Sequence, residues 1–309
     1  MSEAKADIPH SKSTFKQQKL YSCRLFINPL TSAIFYFSLS IISLAIGISY
    51  ISTSKDVWEK EIRYDDICDG KETCNVKLVI DKDRDESELF LYYKLTNFFH
   101  SNYMYTSSKN WDQLEGKYET GKKLDRCKPV QSIDGSILAP CGALPSSVFN
   151  DTFDIDSNLA IFEKSGISAP KSKDIFKKTN EKYSSPGAWL SNNEIFPDGQ
   201  TDERFINWIQ TAAFPEFRKL WGRTNKKIKL NKGEYDIIIH NNFPVSSFKG
   251  KKYIVFSETF WSGGSNNFLG YFFMALFGIT LLIGIIVTVL YVTNSFPLYR
   301  HIKTLNELF

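Results

Sequence analysis

The sequence contains little histidine: there are four in 309 residues, and only His100 and His240 lie between its two long apolar runs. A histidine-rich metal site cannot be built from two side chains, and a Ser–His–Asp triad would need one of them. No G-x-S-x-G motif is present to supply a nucleophile. We therefore interpret both histidines as surface or core residues, and predict no enzyme, no metal and no cofactor.

Sites for phosphate and nucleic acid are also missing. Residues 116–123 read GKYETGKK, which lacks the Ser or Thr hydroxyl that a P-loop places on magnesium, and no predicted strand precedes them. Residues 52–267 contain 31 basic and 31 acidic side chains, and the lysines are dispersed. Without a basic stripe to hold phosphates, nucleic-acid binding is excluded.

Two long runs contain no charged residue, Leu30–Ile51 and Phe268–Val292. As helices they would reach roughly 33–37 Å, enough to cross a hydrocarbon core of about 30 Å with some tilt. A cleaved signal peptide is the alternative for the first run. That run is longer than a signal-peptide core and 29 residues precede it, so we predict two membrane spans.

The charges that flank these runs predict the orientation. The net charge of +4 comes entirely from the two ends of the chain, because the central block is balanced. Positive flanks stay in the cytoplasm, so both termini are predicted there and the central block is translocated. The predicted organisation is a tail 1–29, a helix 30–51, an ectodomain 52–267, a helix 268–292 and a tail 293–309.

The five cysteines are also divided between the cytoplasmic flank and the translocated block. Cys23 lies in the cytoplasmic flank and is interpreted as a free thiol rather than a palmitoylation site. Cys68, Cys74, Cys127 and Cys141 lie in the translocated block, where thiols oxidise. Three pairings are possible; we favour Cys68–Cys74 and Cys127–Cys141 because each joins neighbours across turn-rich sequence. A zinc site is disfavoured because no C-x-x-C knuckle occurs.

One N-glycosylation sequon occurs, Asn150-Asp151-Thr152. It lies in a polar, turn-like part of the translocated block. We therefore predict that Asn150 carries an N-linked glycan.

The ectodomain is predicted to be mainly antiparallel β. Alternating or β-branched patterns predict four strands, at Cys74–Asp81, Glu88–Asn97, Tyr235–His240 and Lys252–Phe260. A helix is predicted over 201–223, interrupted at Pro215 and resuming with Phe217, Leu220 and Trp221. Residues 163–185 are predicted to cross the surface. The predicted fold is an α+β membrane protein: two transmembrane helices flank a β-sandwich ectodomain with helical insertions and two disulfides.

Small residues recur every four positions along the second apolar run, at Thr280, Gly284 and Thr288. Such a stripe allows another helix to approach closely, and threonine adds hydrogen bonds. Neither run holds a charge of the kind that ion and proton pathways use. We therefore predict a membrane partner rather than a transporter, and expect Gly284→Leu to weaken association with it.

Eight segments in order along nearly the whole chain resemble the cell division control protein fifty family, also called ligand-effect modulator three. They are Phe15–Leu20 (FKQQKL), Ile62–Asp65, Tyr93–Phe99 (YKLTNFF), Pro140–Phe153 (PCGALPSSVFNDTF), Phe205–Gly222, Asn242–Phe248, Trp261–Gly264 and Asn267–Gly270. Residues 98–111 depart from the resemblance, being rich in Ser and Tyr where the family is basic.

The resemblance implies a non-catalytic subunit of a type IV P-type ATPase, which moves phospholipid between membrane leaflets. It implies a heterodimer that leaves the endoplasmic reticulum for the Golgi, endosomes or plasma membrane. The two favoured cysteine pairings would be the family's disulfides, and Asn150 would be a glycan site. Contact with the ATPase is implied for the spans and ectodomain, and on the cytoplasmic side for Phe15, Lys16, Gln17, Gln18 and Leu20.

Two other classes share this topology. A two-span channel subunit would form a symmetric homo-oligomer and would carry more cysteines. A cell-surface receptor or adhesion protein would bind its ligand without any ATPase.

Overall fold

The computed structural model describes residues 28–191, 193–259 and 263–293. The chain forms two compact units. One contains the described parts of Met1–Ile51 and Asn267–Phe309 and is called the helix pair here; the other, Ser52–Asn266, is called the β domain.

Seven α-helices, three short 3-10 helices and twelve strands occur in the described residues. The α-helices are α1 Pro29–Asp56, α2 Tyr103–Ser107, α3 Trp111–Leu114, α4 Ala143–Ser146, α5 Pro170–Ile175, α6 Glu203–Ile209 and α7 Phe268–Val292. The 3-10 helices are Gly121–Cys127, Gly199–Thr201 and Ser246–Phe248. The strands are β1 Glu59–Arg63, β2 Thr73–Ile80, β3 Arg84–Ser87, β4 Leu89–Leu95, β5 Ser132–Ile133, β6 Ser136–Ile137, β7 Thr152–Ile155, β8 Phe162–Glu163, β9 Phe217–Thr224, β10 Ile228–Leu230, β11 Gly233–His240 and β12 Lys252–Glu258.

The two long helices coincide with the charge-free runs of the sequence. Both α1 and α7 are long and apolar enough to cross a membrane. The helix α1 continues to Asp56, five residues beyond the apolar run. The prediction of two apolar helices, one before and one after a mainly antiparallel β domain in sequence, is confirmed.

Two larger antiparallel sheets form the body of the β domain, and two further two-stranded sheets pair β3 with β10 and β5 with β6. The larger has the strand order β1-β12-β4-β9-β8, and the smaller has the order β2-β11-β7. The strand β2 pairs with β11 over eight residues, from Thr73 opposite His240 to Ile80 opposite Gly233. All four strands predicted from alternation are present, because each alternating face has a sheet to bury it.

The main core of the β domain fills the space between the two larger sheets. In β2 every second side chain is buried, and β4 alternates between buried and half-buried positions. Phe153 of β7 lies 5.2 Å from Trp221 of β9, measured between ring centroids. Tyr93 of β4 stacks on Phe149 at 3.8 Å. These contacts join the sheets into the predicted sandwich.

The helix predicted over 201–223 is half right. Phe205, Trp208 and Ile209 are buried on α6, but the residues after Pro215 form the strand β9 rather than a second helical turn. Phe217 and Trp221 are four residues apart, and that spacing places two side chains on one face of a helix and also on one face of a strand. The residues form a strand rather than a helix because they pair with β4, one edge of which would otherwise be left without a hydrogen-bonded neighbour.

Glu203 attaches the surface segment 163–185 to the start of α6. Its carboxylate accepts the backbone N–H groups of Gly166 at 2.8 Å, Ile167 at 2.6 Å and Ser168 at 2.7 Å, and pairs with Lys173. Burial alone would raise the pKa of Glu203, but Lys173 and the three N–H groups outweigh it and lower the pKa to about 2.

Glu203→Gln is expected to lower the free energy of unfolding by about 2–3 kcal/mol at neutral pH, because a charged acceptor of several hydrogen bonds is lost. A carboxyl group with a depressed folded pKa stabilises the protein above its unfolded pKa, and this contribution is lost as pH falls through the folded value. The gap between wild type and variant should therefore be constant above pH 5 and close between about pH 4.5 and 2.

Unfolding of the purified protein, followed by tryptophan fluorescence across this pH range, measures the gap. Glu181→Gln is the matched control, since Glu181 is exposed in the same surface segment. A gap of equal size at pH 7 and pH 3 would show that the charge of Glu203 is not what matters.

Candidate functional site

The sequon contains the carboxylate of a buried ion pair. Asp151, the central residue of the sequon, is 1% exposed, and its Oδ2 lies 2.7 Å from the Nζ of Lys252 and accepts the hydroxyl of Tyr64 at 2.7 Å. Its Oδ1 accepts the backbone N–H groups of Asn242 and Phe243, both at 2.6 Å. Both carboxylate oxygens are therefore fully used, as a buried charge requires.

Four strand ends from both sheets meet at this charge cluster. Tyr64 follows β1, Lys252 begins β12, Asp151 precedes β7, and Asn242 follows β11. The first two strands belong to the larger sheet and the other two to the smaller. The cluster therefore connects the two sheets at one end of the sandwich.

The electrostatics of the charge cluster favour a fixed structural role. Burial lowers the pKa of Lys252, and the charge and hydrogen bond of Asp151 act against that shift. Burial, followed by the charge and hydrogen bond of Asp151, raises the pKa of Tyr64 well above its usual value. Tyr64 therefore stays a hydrogen-bond donor, and Lys252 also donates to the carbonyl of Phe243 at 2.7 Å.

Asn150 itself is partly exposed at the edge of the charge cluster. Its backbone carbonyl accepts the side-chain amide of Asn242 at 3.1 Å, while its own Oδ1 is buried and lacks a hydrogen-bond partner among the described residues. The glycan at Asn150 stays a prediction.

The two predicted disulfides are present. Cys68 and Cys74 have Cα atoms 5.4 Å apart, and Cys127 and Cys141 have Cα atoms 5.6 Å apart, both within the usual range. The first bond lies in the main core between the sheets. The second belongs to a separate small core, together with Leu124 and Leu138 and the half-buried Val130, Ile137 and Trp189. Each disulfide thus stabilises a different part of the β domain.

The small residues of α7 face α1 of the same chain. A Cβ added at Gly284 would lie 3.3 Å from the ring of Phe37, and one at Gly270 would lie 2.5 Å from Ile51. On α1, a Cβ at Gly47 would lie 3.1 Å from the sulfur of Met274. The sequence predicts a partner's helix at the stripe, whereas the structure places Phe37 there.

The threonines of the stripe bond within their own helix. Thr280 Oγ1 donates to the carbonyl of Leu276 at 2.8 Å, and Thr288 Oγ1 donates to that of Gly284 at 2.8 Å. Neither of these bonds crosses to α1. Contact of Thr280, Gly284 or Thr288 with a separate protein stays a prediction.

The two histidines differ in environment. His100 is fully buried, stacks on Phe217 at 5.1 Å and accepts the backbone N–H of Ala212 at 3.1 Å through Nδ1. Burial, with a smaller contribution from nearby lysines, lowers the pKa of His100 to about 3, so it is neutral at physiological pH. His240 is partly exposed, and its Nε2 lies 2.9 Å from Asp154 Oδ2.

Other predicted contacts fall outside the described residues. These are Phe15, Lys16, Gln17, Gln18 and Leu20, and Cys23, which is predicted to be a free thiol, also lies outside the described residues.

Sequence reasoning missed the charge cluster altogether. Asp151 was visible only as the variable position of a sequon, and Lys252 only as the first residue of a strand. They are separated by 101 positions, and no local pattern distinguishes a buried lysine from a solvated one.

The chain was compared with known proteins. A model of the LEM3 (ligand-effect modulator 3) family / CDC50 family matches residues 31–296. ALA-interacting subunit 3 of Arabidopsis thaliana is 31% identical, over 91% of this chain and 86% of its own length. Cell cycle control protein 50C of Macaca fascicularis is 30% identical, over 91% and 92%. Cell cycle control protein 50A of Bos taurus is 28% identical, over 90% and 88%.

Two apolar helices, one before and one after a disulfide-bonded, antiparallel β domain in sequence, define a class of two-pass membrane protein. Within that class, this chain belongs to the LEM3/CDC50 family. Proteins of the family are partner subunits of type IV P-type ATPases.

Proposed function

We propose that this chain is the non-catalytic subunit of a phospholipid flippase, bound as a heterodimer to a type IV P-type ATPase. The family match over residues 31–296 is the observation that carries the proposal. ATP hydrolysis and lipid movement belong to the ATPase, and this chain assists its folding, its exit from the endoplasmic reticulum and its activity. The complex then works in the Golgi, the endosomes or the plasma membrane.

In the proposed topology both termini are cytoplasmic and the β domain is lumenal or extracellular. The net charge of +4 comes from the two tails, and positive tails stay inside. The two disulfides also favour an oxidising compartment. A sequon at Asn150 is read by the glycosylation machinery only on that side.

The helix pair leaves extensive apolar surface for the ATPase and for lipid. Side chains more than half exposed include Ile34, Phe35, Ile41, Phe268, Ile279, Leu282 and Val292. Phe37 of α1 lies against Gly284, so we propose that the ATPase packs on these outward faces. The cytoplasmic segment around Phe15 to Leu20 adds a second contact.

A rigid β domain suits a subunit that influences a pump. A bound subunit shifts a conformational cycle only by the difference in its affinity for the successive states. The two disulfides and the buried ion pair keep the β domain in one conformation. The difference in its affinity for the successive states is therefore not reduced by a rearrangement of the β domain itself. The subunit therefore tunes the cycle of the ATPase as well as its transport to the correct membrane.

Affinity purification tests the proposal. The chain, tagged at a cytoplasmic end, is extracted in mild detergent and its companions are identified by mass spectrometry. The expected result is a P-type ATPase in a one-to-one ratio. A homo-oligomer without an ATPase would favour a channel subunit, and a lone chain that has left the endoplasmic reticulum would favour a receptor.

A further inference from the structure

The sequon is closed within the folded β domain. Asn150 is partly exposed, which leaves room for an attached glycan. Around it in sequence, Phe149 is 4% exposed, Asp151 1% and Phe153 4%. An enzyme that reads Asn-X-Thr must hold the backbone of all three residues together with the threonine hydroxyl. A sequon held in this way by its own domain is therefore not available to the enzyme.

Packing, strand pairing and the ion pair all hold this segment in place. Phe149 stacks on Tyr93 at 3.8 Å. Thr152 lies opposite His240 where β7 pairs with β11. Asp151 makes the four bonds of the charge cluster. To expose the sequon, β7 must leave the smaller sheet and a buried ion pair must break, which is strongly unfavourable.

Most of the groups that close the sequon follow it in the chain. Lys252 lies 101 positions after Asp151, and Asn242 and Phe243 lie 91 and 92 positions after it. Of the four partners, Tyr64 is the one that precedes the sequon. Synthesis of this length of chain takes about 5–20 s at roughly 5–20 residues per second. During that interval neither β11 nor the ion pair is present to close the sequon.

Glycan transfer is a substitution at the first sugar of a lipid-linked oligosaccharide diphosphate. The side-chain nitrogen of Asn150 forms a bond to C1 of that sugar. The bond from C1 to the diphosphate breaks, the diphosphate leaves with the electron pair, and the nitrogen loses one proton to solvent. The folded domain leaves the acceptor residue partly exposed, so folding prevents binding of the sequon by the enzyme rather than the substitution itself.

We propose that Asn150 is glycosylated only before β11 and Lys252 join the folding β domain, and that closure of the charge cluster then ends the reaction. The inference rests on the proposed topology, which places the β domain on the side of the transferase. The charge cluster thus fixes the fraction of chains that carry a glycan. Chains that miss the interval stay unmodified although their sequon is intact.

Purified components test whether the closed sequon is protected. The full chain is made while glycosylation is inhibited, folded with both disulfides, and incubated with an oligosaccharyltransferase and its lipid-linked donor. The control acceptor is the tryptic peptide Cys127–Lys164 of the same protein, which has the same sequon without the sheets. We expect the folded chain to react at least about a hundredfold more slowly than the peptide, because the enzyme can act only on the rare open form. Equal rates would overturn the inference, and a peptide that does not react would overturn the predicted glycan together with it.

Three variants outside the sequon test whether the charge cluster is the barrier. Lys252→Met breaks the ion pair, Tyr64→Phe removes one bond to Asp151, and Lys251→Met changes an exposed neighbour as the matched control. In cells, a short radioactive pulse and a chase measure how many unglycosylated chains gain a glycan after synthesis. Lys252→Met should raise this fraction several-fold over wild type and Tyr64→Phe should raise it less, whereas Lys251→Met should leave it unchanged.

The opposite outcomes are equally distinct. If wild-type chains gained the glycan during the chase as readily as Lys252→Met chains, the inference would be wrong, while the subunit role would be unaffected. If the full chain never carried a glycan in cells although the peptide reacted in vitro, the proposed topology would be overturned, and the order of events with it.

Discussion

Replacing Asp151 with Asn is expected to lower the free energy of unfolding by about 3–5 kcal/mol, because breaking a buried ion pair leaves one charge without compensation. Lys252 is 1% exposed, and Asp65, the other carboxylate that acts on it, accepts its backbone N–H rather than a bond from its ammonium group. The amide would also turn its N–H₂ group toward one pair of donors that now meet an oxygen, either Tyr64 and Lys252 or Asn242 and Phe243. A loss of this size is a large part of the stability of a typical domain.

The sequon makes this prediction unusually easy to control. Asp151→Asn leaves the sequon Asn150-X-Thr152 intact, so it breaks the ion pair without removing the glycan that is predicted at Asn150. Asn150→Gln does the reverse. Thermal unfolding of both variants in detergent, with a gel-shift assay of the glycan, separates the two effects.

A milder substitution covers the case in which Asp151→Asn does not fold. Tyr64→Phe removes one hydrogen bond to the carboxylate and is expected to cost about 1.5–3 kcal/mol. If Asp151→Asn were as stable as wild type while Asn150→Gln unfolded readily, the glycan and not the ion pair would hold the sheets together.

The regular parts of the fold were predictable because their signals are local and long. A run of more than twenty uncharged residues has few interpretations other than α1 and α7. Alternation over seven or eight residues, as in β2 and β4, predicts a strand with one buried face. Strands of two to five residues, such as β1, β5 and β8, have no such signal, since only their partners in the sheet define them.

The prediction failed where one pattern fits two structures. The spacing of Phe217 and Trp221 suits a helix and a strand equally, and the pairing with β4 that decides it lies more than a hundred residues away in sequence. The stripe of Thr280 and Gly284 predicts close helix packing without saying whose helix packs, and its contact with a separate protein stays a prediction. The structure supplies α1, the nearest apolar helix available.

The functional residues also differ in whether a local sequence pattern predicts them. The disulfide pairings follow from short separations, 6 and 14 residues, that bring the cysteines together across turns. In the charge cluster the ion pair of Asp151 and Lys252 joins residues 101 positions apart, and a sequence shows each member only as a polar residue beside a strand. Tertiary contacts of this kind appear only once the sheets are assembled.

Replacing both Cys127 and Cys141 with Ala is expected to destabilise the β domain more than replacing Cys68 and Cys74. In the chain-entropy model the longer loop contributes about 3 kcal/mol and the shorter about 2 kcal/mol. The side chains around each disulfide increase this difference in destabilisation between the two double variants. The Cys127–Cys141 bond is the centre of the small core, in which Leu124 and Leu138 are the other buried side chains among the described residues. Loss of the bond therefore removes much of the packing that stabilises this part of the β domain.

The Cys68–Cys74 bond has more support from its neighbours. Cys74 lies in β2, which is paired with β11 over eight residues, and Asn241 Nδ2 donates to the carbonyl of Cys68 at 3.0 Å. Both cysteines also pack in the main core between the sheets. These contacts should keep this end of the domain folded when the bond is absent.

Unfolding of the two double-alanine variants, measured in parallel with wild type, decides the order. The expected result is a loss of about 3–5 kcal/mol for Cys127/Cys141 against about 2 kcal/mol for Cys68/Cys74. Leu124→Ala, which enlarges the small core without touching the bond, should fall between them and be non-additive with the loss of Cys127–Cys141. Equal losses in the two disulfide variants would mean that loop closure alone sets the contribution, and that the small core adds nothing of its own.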